Sequence, residues 1–141
     1  PRAHVDGAPL DMSFSGLKTA VVNLAHNAQQ KGEPLDEPAL ARDFTQAVSD
    51  ELTERAALAL EQTGRTVLVA AGGVAANSII RADLQRLCEK RGVKLYLPPL
   101  KWCGDNGAMI GAQGYYEYMS GVRGDMTLNG YATMELDNVI F

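Results

Sequence analysis

The chain has 141 residues, 46% of them hydrophobic and 21% charged, which is the balance of one ordinary globular domain able to build its own core. A net charge of -4 argues against a strongly electrostatic nucleic-acid surface carried by this segment alone, though not against a local basic patch. No window reaches the ~18 apolar residues of a membrane span, no signal peptide is visible, and Cys88 and Cys103, the two cysteines, lack CxxC spacing and read as reduced thiols, with a disulfide as the alternative.

In chain order, residues 1–12 carry Pro, Gly and Asp without periodicity and read as loop. The chain opens on Pro1 rather than Met, and this start resembles the interior of a longer protein. Ser15 is placed to cap a first helix whose stripe is Leu17, Ala20, Val21, Leu24 and Ala28. After the turn-rich stretch "KGEPLDEP", Asp36 is the expected N-cap of a second helix, with Pro38 in its first turn and Gly64 just past its end. "TVLVAA" (66–71) is apolar on both faces and suits a buried parallel strand. A third helix follows, marked by Ile79, Ile80, Leu84 and Leu87 and closed near Gly92. "VKLYL" (93–97) is the next strand, so strand, helix and strand predict a βαβ unit with a right-handed crossover. "CGDNGAMIGAQGYYEYM" then gives a loop and a glycine-rich helix, and the residues after Gly121 read as loop or short strand. The expected division is 1–64 (loop and two helices), 65–120 (βαβ core and glycine-rich helix) and 121–141 (tail).

Gly72 and Gly73 follow the first strand, at the carboxyl edge where open α/β sheets bind ligands. A turn without Cβ atoms lets backbone approach a phosphate or sugar, with the next helix aiming free N–H groups at the same spot. A tight turn that binds nothing is the alternative. The stretch is neither GxGxxG nor GxxxxGK[ST]. Asn77 has two possible uses, as a helix cap or as a ligand contact. Asp105 follows the second strand at the matching place, either as N-cap of the last helix or as one ligand of a divalent cation. His4 and His26 are far apart in sequence and form no zinc pattern. Lys18 is a surface lysine or a phosphate contact, and Gly107, Gly111 and Gly114 are expected to permit close helix packing.

"MSFSGLKTAV" (12–21), "AAGGVAANSIIR" (70–81) and "PPLKWCGDNGAMIG" (98–111) together resemble the carboxy-terminal half of the tRNA threonylcarbamoyladenosine synthase family (TsaD type), formerly described as glycoprotease or O-sialoglycoprotein endopeptidase. The resemblance spans residues 11–120. It implies the second lobe of an actin-like (ASKHA, ribonuclease H-like) two-lobe α/β fold, with a βαβ unit and additional packing helices. It implies transfer of a threonylcarbamoyl group from its adenylate to N6 of adenosine 37 in tRNAs that read A-starting codons. The family's nucleotide loop falls on Gly72 and Gly73, its substrate-binding Asn on Asn77, and its metal-binding Asp on Asp105. Gly104 replaces a common Thr, which loosens the loop and leaves the carboxylate in place, and Ala75 replaces a common Ser, which removes any hydroxyl contact there.

The resemblance further implies a divalent metal (iron, magnesium or zinc), threonylcarbamoyl adenylate or ATP as nucleotide, tRNA, an amino-terminal lobe, a dimerising paralogue, an ATPase of the same modification pathway, and a cytoplasmic setting. The family also holds its metal with an HxxxH pair from the first lobe. None occurs here, so this segment alone is not expected to catalyse the transfer. Alternatives are another actin-like carbamoyltransferase or kinase, and a noncatalytic nucleotide-binding or scaffold paralogue. A metallopeptidase is disfavoured, because there is no HExxH.

Overall fold

The structure, a computed structural model, describes residues 3, 5–130, 132 and 133. It forms two compact units, Pro1–Asp105 and Asn106–Phe141. His4 and much of the expected tail lie outside the described residues.

The first unit begins as loop and enters α1 (Ser15–Lys31). Ser15 is not the cap expected of it. Phe14 holds the N-cap position without a side-chain bond, while Ser15 is already helical and its carbonyl accepts from the Thr19 hydroxyl. α2 (Glu37–Thr63) starts as expected, with the Asp36 carboxylate accepting from Ala39 N–H at 2.9 Å and Pro38 in the first turn. It ends at Gly64, whose φ of 63° is the left-handed conformation that glycine adopts without Cβ strain. β1 (Val67–Val69) and β2 (Lys94–Tyr96) pair in parallel, Val67 opposite Lys94 and Val69 opposite Tyr96, and α3 (Ser78–Arg91) connects them. The βαβ expectation holds in order and strand direction.

The core lies where α3 packs against α2 and β2, and Ile80, Leu84 and Cys88 of α3 are its buried side chains. Burial raises the Cys88 thiol above its ordinary pKa, and both cysteines are free and buried. A polar cluster joins the same two helices. The fully buried Ser49 hydroxyl donates to Asp83 Oδ2 at 2.6 Å, Gln46 donates to the same oxygen at 3.0 Å, and Arg86 pairs with Oδ1.

The strands differ from the expectation of a buried pair. Only Leu68 and Leu95 point toward the helices and are half-buried. On the other face Val67, Val69 and Tyr96 are 46, 66 and 48% exposed. A run apolar on both sides requires cover on both sides, and the described residues cover one.

In the second unit, α4 (Gly107–Met119) is capped by Asn106, whose side chain accepts from Met109 N–H at 3.0 Å. Arg123 closes its end by stacking on Tyr118, 3.8 Å from the ring centre, and donating to that residue's carbonyl. Among the described residues of the second unit, nothing other than the backbone of α4 itself lies within 4 Å of the Cβ position at Gly107, Gly111 or Gly114. Beyond Gly121 the described residues form turns and loop without a strand.

Candidate functional site

The chain leaves β1 at Ala70, whose N–H still donates to the Tyr96 carbonyl at 3.1 Å, and then turns on Gly72. Gly72 has φ 89° and ψ 173°, a region essentially closed to residues with a Cβ. The turn itself therefore demands glycine there. Gly73 is different. Its φ is not positive, and nothing lies within 4 Å of a Cβ placed on it. Its missing side chain is not required by this fold and leaves bare backbone facing open space.

A four-residue 3-10 turn (Gly73–Ala76) follows, so the helix does not spring directly from the glycines as expected. Asn77 then caps α3, its Oδ1 accepting from Ile79 and Ile80 N–H at 3.0 and 3.3 Å. These two N–H groups are thereby spent on the cap and are not aimed at a ligand. The cap engages only the oxygen of Asn77 and leaves the amide nitrogen's donors available. Gly73 and Asn77 line one cleft of about 350 Å³, closed opposite by Phe44, Thr45 and Val48 of α2. Val74 and Ile80 line both this cleft and an apolar cavity of about 380 Å³, the latter together with Leu52, Ala56 and Leu68.

The loop after β2 reaches the same edge of the sheet, because parallel neighbours end on the same side. Arg81, one turn into α3, ties the two loops together. Its Nη1 donates to the Ala75 carbonyl at 2.8 Å and its Nη2 to the Pro98 carbonyl at 3.0 Å. Nη1 also contacts the buried Cys103 sulfur at 3.7 Å. The Cys103 thiol in turn lies 3.7 Å from the Pro99 carbonyl. Asp105 stands two residues further on, so its Cα lies within about 7 Å of that of Cys103.

The structure thus brings Gly73 and Asn77 into one cleft, puts Gly72 at the turn beside it, and holds the Asp105 loop at the same edge without placing Asp105 in the cleft lining. Asp105 is exposed and is not the N-cap of α4, a role taken by Asn106. No three of His, Cys, Asp and Glu come together among the described residues. One exposed carboxylate does not make a cation site, which needs several oxygen or nitrogen ligands. The donor set here therefore does not fit a metal by itself. His26 is on the exposed side of α1 beside Gln30, and Lys18 is exposed. Sequence reasoning does not single out Arg81. The available signal is its position four residues after Asn77, on the helix face that leans back toward the loops.

Fold and site define an α/β protein with a cleft at the carboxyl edge of a parallel strand pair, walled by a glycine turn, a helix cap and a neighbouring helix. A family model described as TsaD, tRNA N6-adenosine threonylcarbamoyltransferase, matches residues 1–112, and the chain belongs to that family. Similar curated proteins carry the same name. One from Staphylococcus saprophyticus is 44% identical over 137 residues, 97% of this chain and 40% of its own length. One from Ligilactobacillus salivarius is 46% identical over 138 residues, again 97% and 40%. One from Lactobacillus delbrueckii subsp. bulgaricus is 44% identical over 138 residues, covering 96% and 40%. The chain spans about 40% of the length of these relatives. No helix among the described residues is long and apolar enough to cross a membrane.

Proposed function

We propose that this chain supplies the adenylate-facing part of a tRNA N6-adenosine threonylcarbamoyltransferase, as one lobe of an actin-like two-lobe enzyme. The observation that carries the reading is the shared cleft of Gly73 and Asn77 at the carboxyl edge of the sheet, in a chain of this family.

The reaction is acyl transfer. The N6 amine of adenosine 37 attacks the carbamoyl carbon of threonylcarbamoyl adenylate, the carbon–oxygen bond to phosphate breaks, AMP departs with the electron pair, and the amine loses a proton. AMP is a good leaving group, so the protein's contribution is positioning more than covalent chemistry. Bare backbone at Gly73 admits the nucleotide close to the main chain. Asn77 fixes its orientation through the amide nitrogen, since the oxygen is held by the cap. Phe44 and Val48 give the cleft an apolar wall. Asp105 offers one carboxylate to a metal whose other ligands would come from the rest of the enzyme. tRNA is the acceptor, and the work belongs to the cytoplasm.

Substitution at Asn77 tests this in the full-length enzyme. Asn77→Asp keeps a strong N-cap and removes the amide donors. Thermal stability is expected to stay close to the unsubstituted value, while adenylate affinity and threonylcarbamoyl transfer, read by nucleoside mass spectrometry, fall by about tenfold or more. An unsubstituted enzyme that leaves adenosine 37 unmodified ends the proposal. Full adenylate affinity in N77D removes Asn77 from it.

A further inference from the structure

Resting on that functional reading, we propose that Arg81 is a positioning residue: its guanidinium sets the distance between the glycine turn after β1 and the Asp105 loop after β2. The two loops follow different strands, β1 and β2. Arg81 reaches both from one rigid helix. One fork arm donates to the Ala75 carbonyl at 2.8 Å in the first loop, and the other to the Pro98 carbonyl at 3.0 Å in the second. The nitrogen that holds Ala75 also contacts Cys103 Sγ at 3.7 Å, two residues before Asp105. Ala75 and Cys103 are both buried, so these contacts are sheltered from water and lose little to competition. The guanidinium is planar and carries fixed donors, so two carbonyls held by one fork are held at a fixed separation. A lysine ammonium is a single centre on a flexible stem and cannot fix both. Arg81 does not line the cleft, and its effect on the reaction passes through the loops.

Cys103 gives a readout independent of the reaction. It is 4% exposed, and Cys88 is buried about two turns further along α3 than Arg81, beside Leu95 of β2. In the full-length enzyme, alkylation is followed by mass spectrometry at both cysteines for the unsubstituted protein, Arg81→Ala and Arg81→Lys. Transfer kinetics with threonylcarbamoyl adenylate and tRNA are measured alongside. The expected result for R81A is labelling of Cys103 at least about tenfold faster with Cys88 unchanged, and kcat/KM for the adenylate lower by up to about 100-fold, the scale of a 1 Å misplacement. The KM for tRNA is expected to stay constant. R81K, which keeps the charge and the fold, is expected to fall short of restoring both Cys103 protection and kcat/KM.

Unchanged transfer in R81A overturns the inference, whether or not Cys103 becomes reactive. Full restoration by R81K overturns it too, because a point charge would then suffice. If R81A fails to fold, R81K alone decides. Absence of transfer in the unsubstituted enzyme overturns the functional reading and this inference with it, whereas transfer that Arg81 does not influence overturns this inference alone.

Discussion

Two adjacent glycines in the turn after β1 have different causes, and substitution separates them. Gly72 is held at φ 89° and ψ 173°, so Gly72→Ala is expected to cost about 1–3 kcal/mol of stability through backbone strain. Gly73 has an ordinary φ and open space around its missing Cβ, so Gly73→Ala leaves the melting temperature of the full-length enzyme nearly unchanged. On the proposed reading, in which the nucleotide meets backbone at Gly73, G73A is expected to raise the KM for the adenylate. Calorimetric melting and steady-state kinetics on both variants check this, and equal thermal losses would show that the distinction is mistaken. Much of this scale is legible in the sequence. Asp36, Gly64 and Gly92 announce helix ends because capping is local chemistry, settled within three or four residues. Asn77 as a cap follows the same logic, and of the two readings of Asp105 the cap falls one position short, since Asn106 takes that role. Arg81 is not legible, since two of its partners lie 17 and 22 residues away and one of those is a main-chain carbonyl.

At the scale of elements, the α2–α3 pair depends on a buried carboxylate as well as on apolar packing. Asp83 is held below its ordinary pKa by the Ser49 hydroxyl first, then by Gln46 and Arg86, against the opposing effect of burial. A depressed carboxylate stabilises the fold when ionised. Its contribution is fully present above its unfolded pKa, about 3.9, and is lost as pH falls through the lower folded value. Ser49→Ala removes the strongest hydrogen bond to that carboxylate, at an expected cost of about 1–2 kcal/mol at neutral pH. The deficit relative to the unsubstituted enzyme should shrink below about pH 4 as Asp83 takes up a proton. Urea midpoints for both proteins from pH 7 down to 3 test it, and a deficit independent of pH would assign the loss to packing alone. Composition and periodicity could not reveal this cluster, because Ser49 and Asp83 are 34 residues apart and polar positions on two helix stripes look alike whether wet or buried.

At the scale of the whole molecule, the strand pair is the informative element. "TVLVAA" reads as a strand buried on both faces; Val67–Val69 is a strand, yet Val67, Val69 and Tyr96 face outward. The sequence carries the requirement and cannot say what meets it. The chain spans about 40% of its curated relatives, and the metal donors present among its described residues are insufficient. We therefore expect this chain, produced alone, to leave tRNA unmodified in a reconstituted assay in which the full-length enzyme converts adenosine 37. Turnover by the isolated chain near that of the full-length protein would refute this expectation.

Arg81 grips main-chain oxygens at both of its principal contacts, atoms that every amino acid possesses. The side chains at 75 and 98 are therefore incidental to the clasp, and exchanging Ala75 for a serine of similar bulk would leave it intact. For the clasp alone, the side chains at 75 and 98 can change while the spacing of the two loops stays pinned from α3.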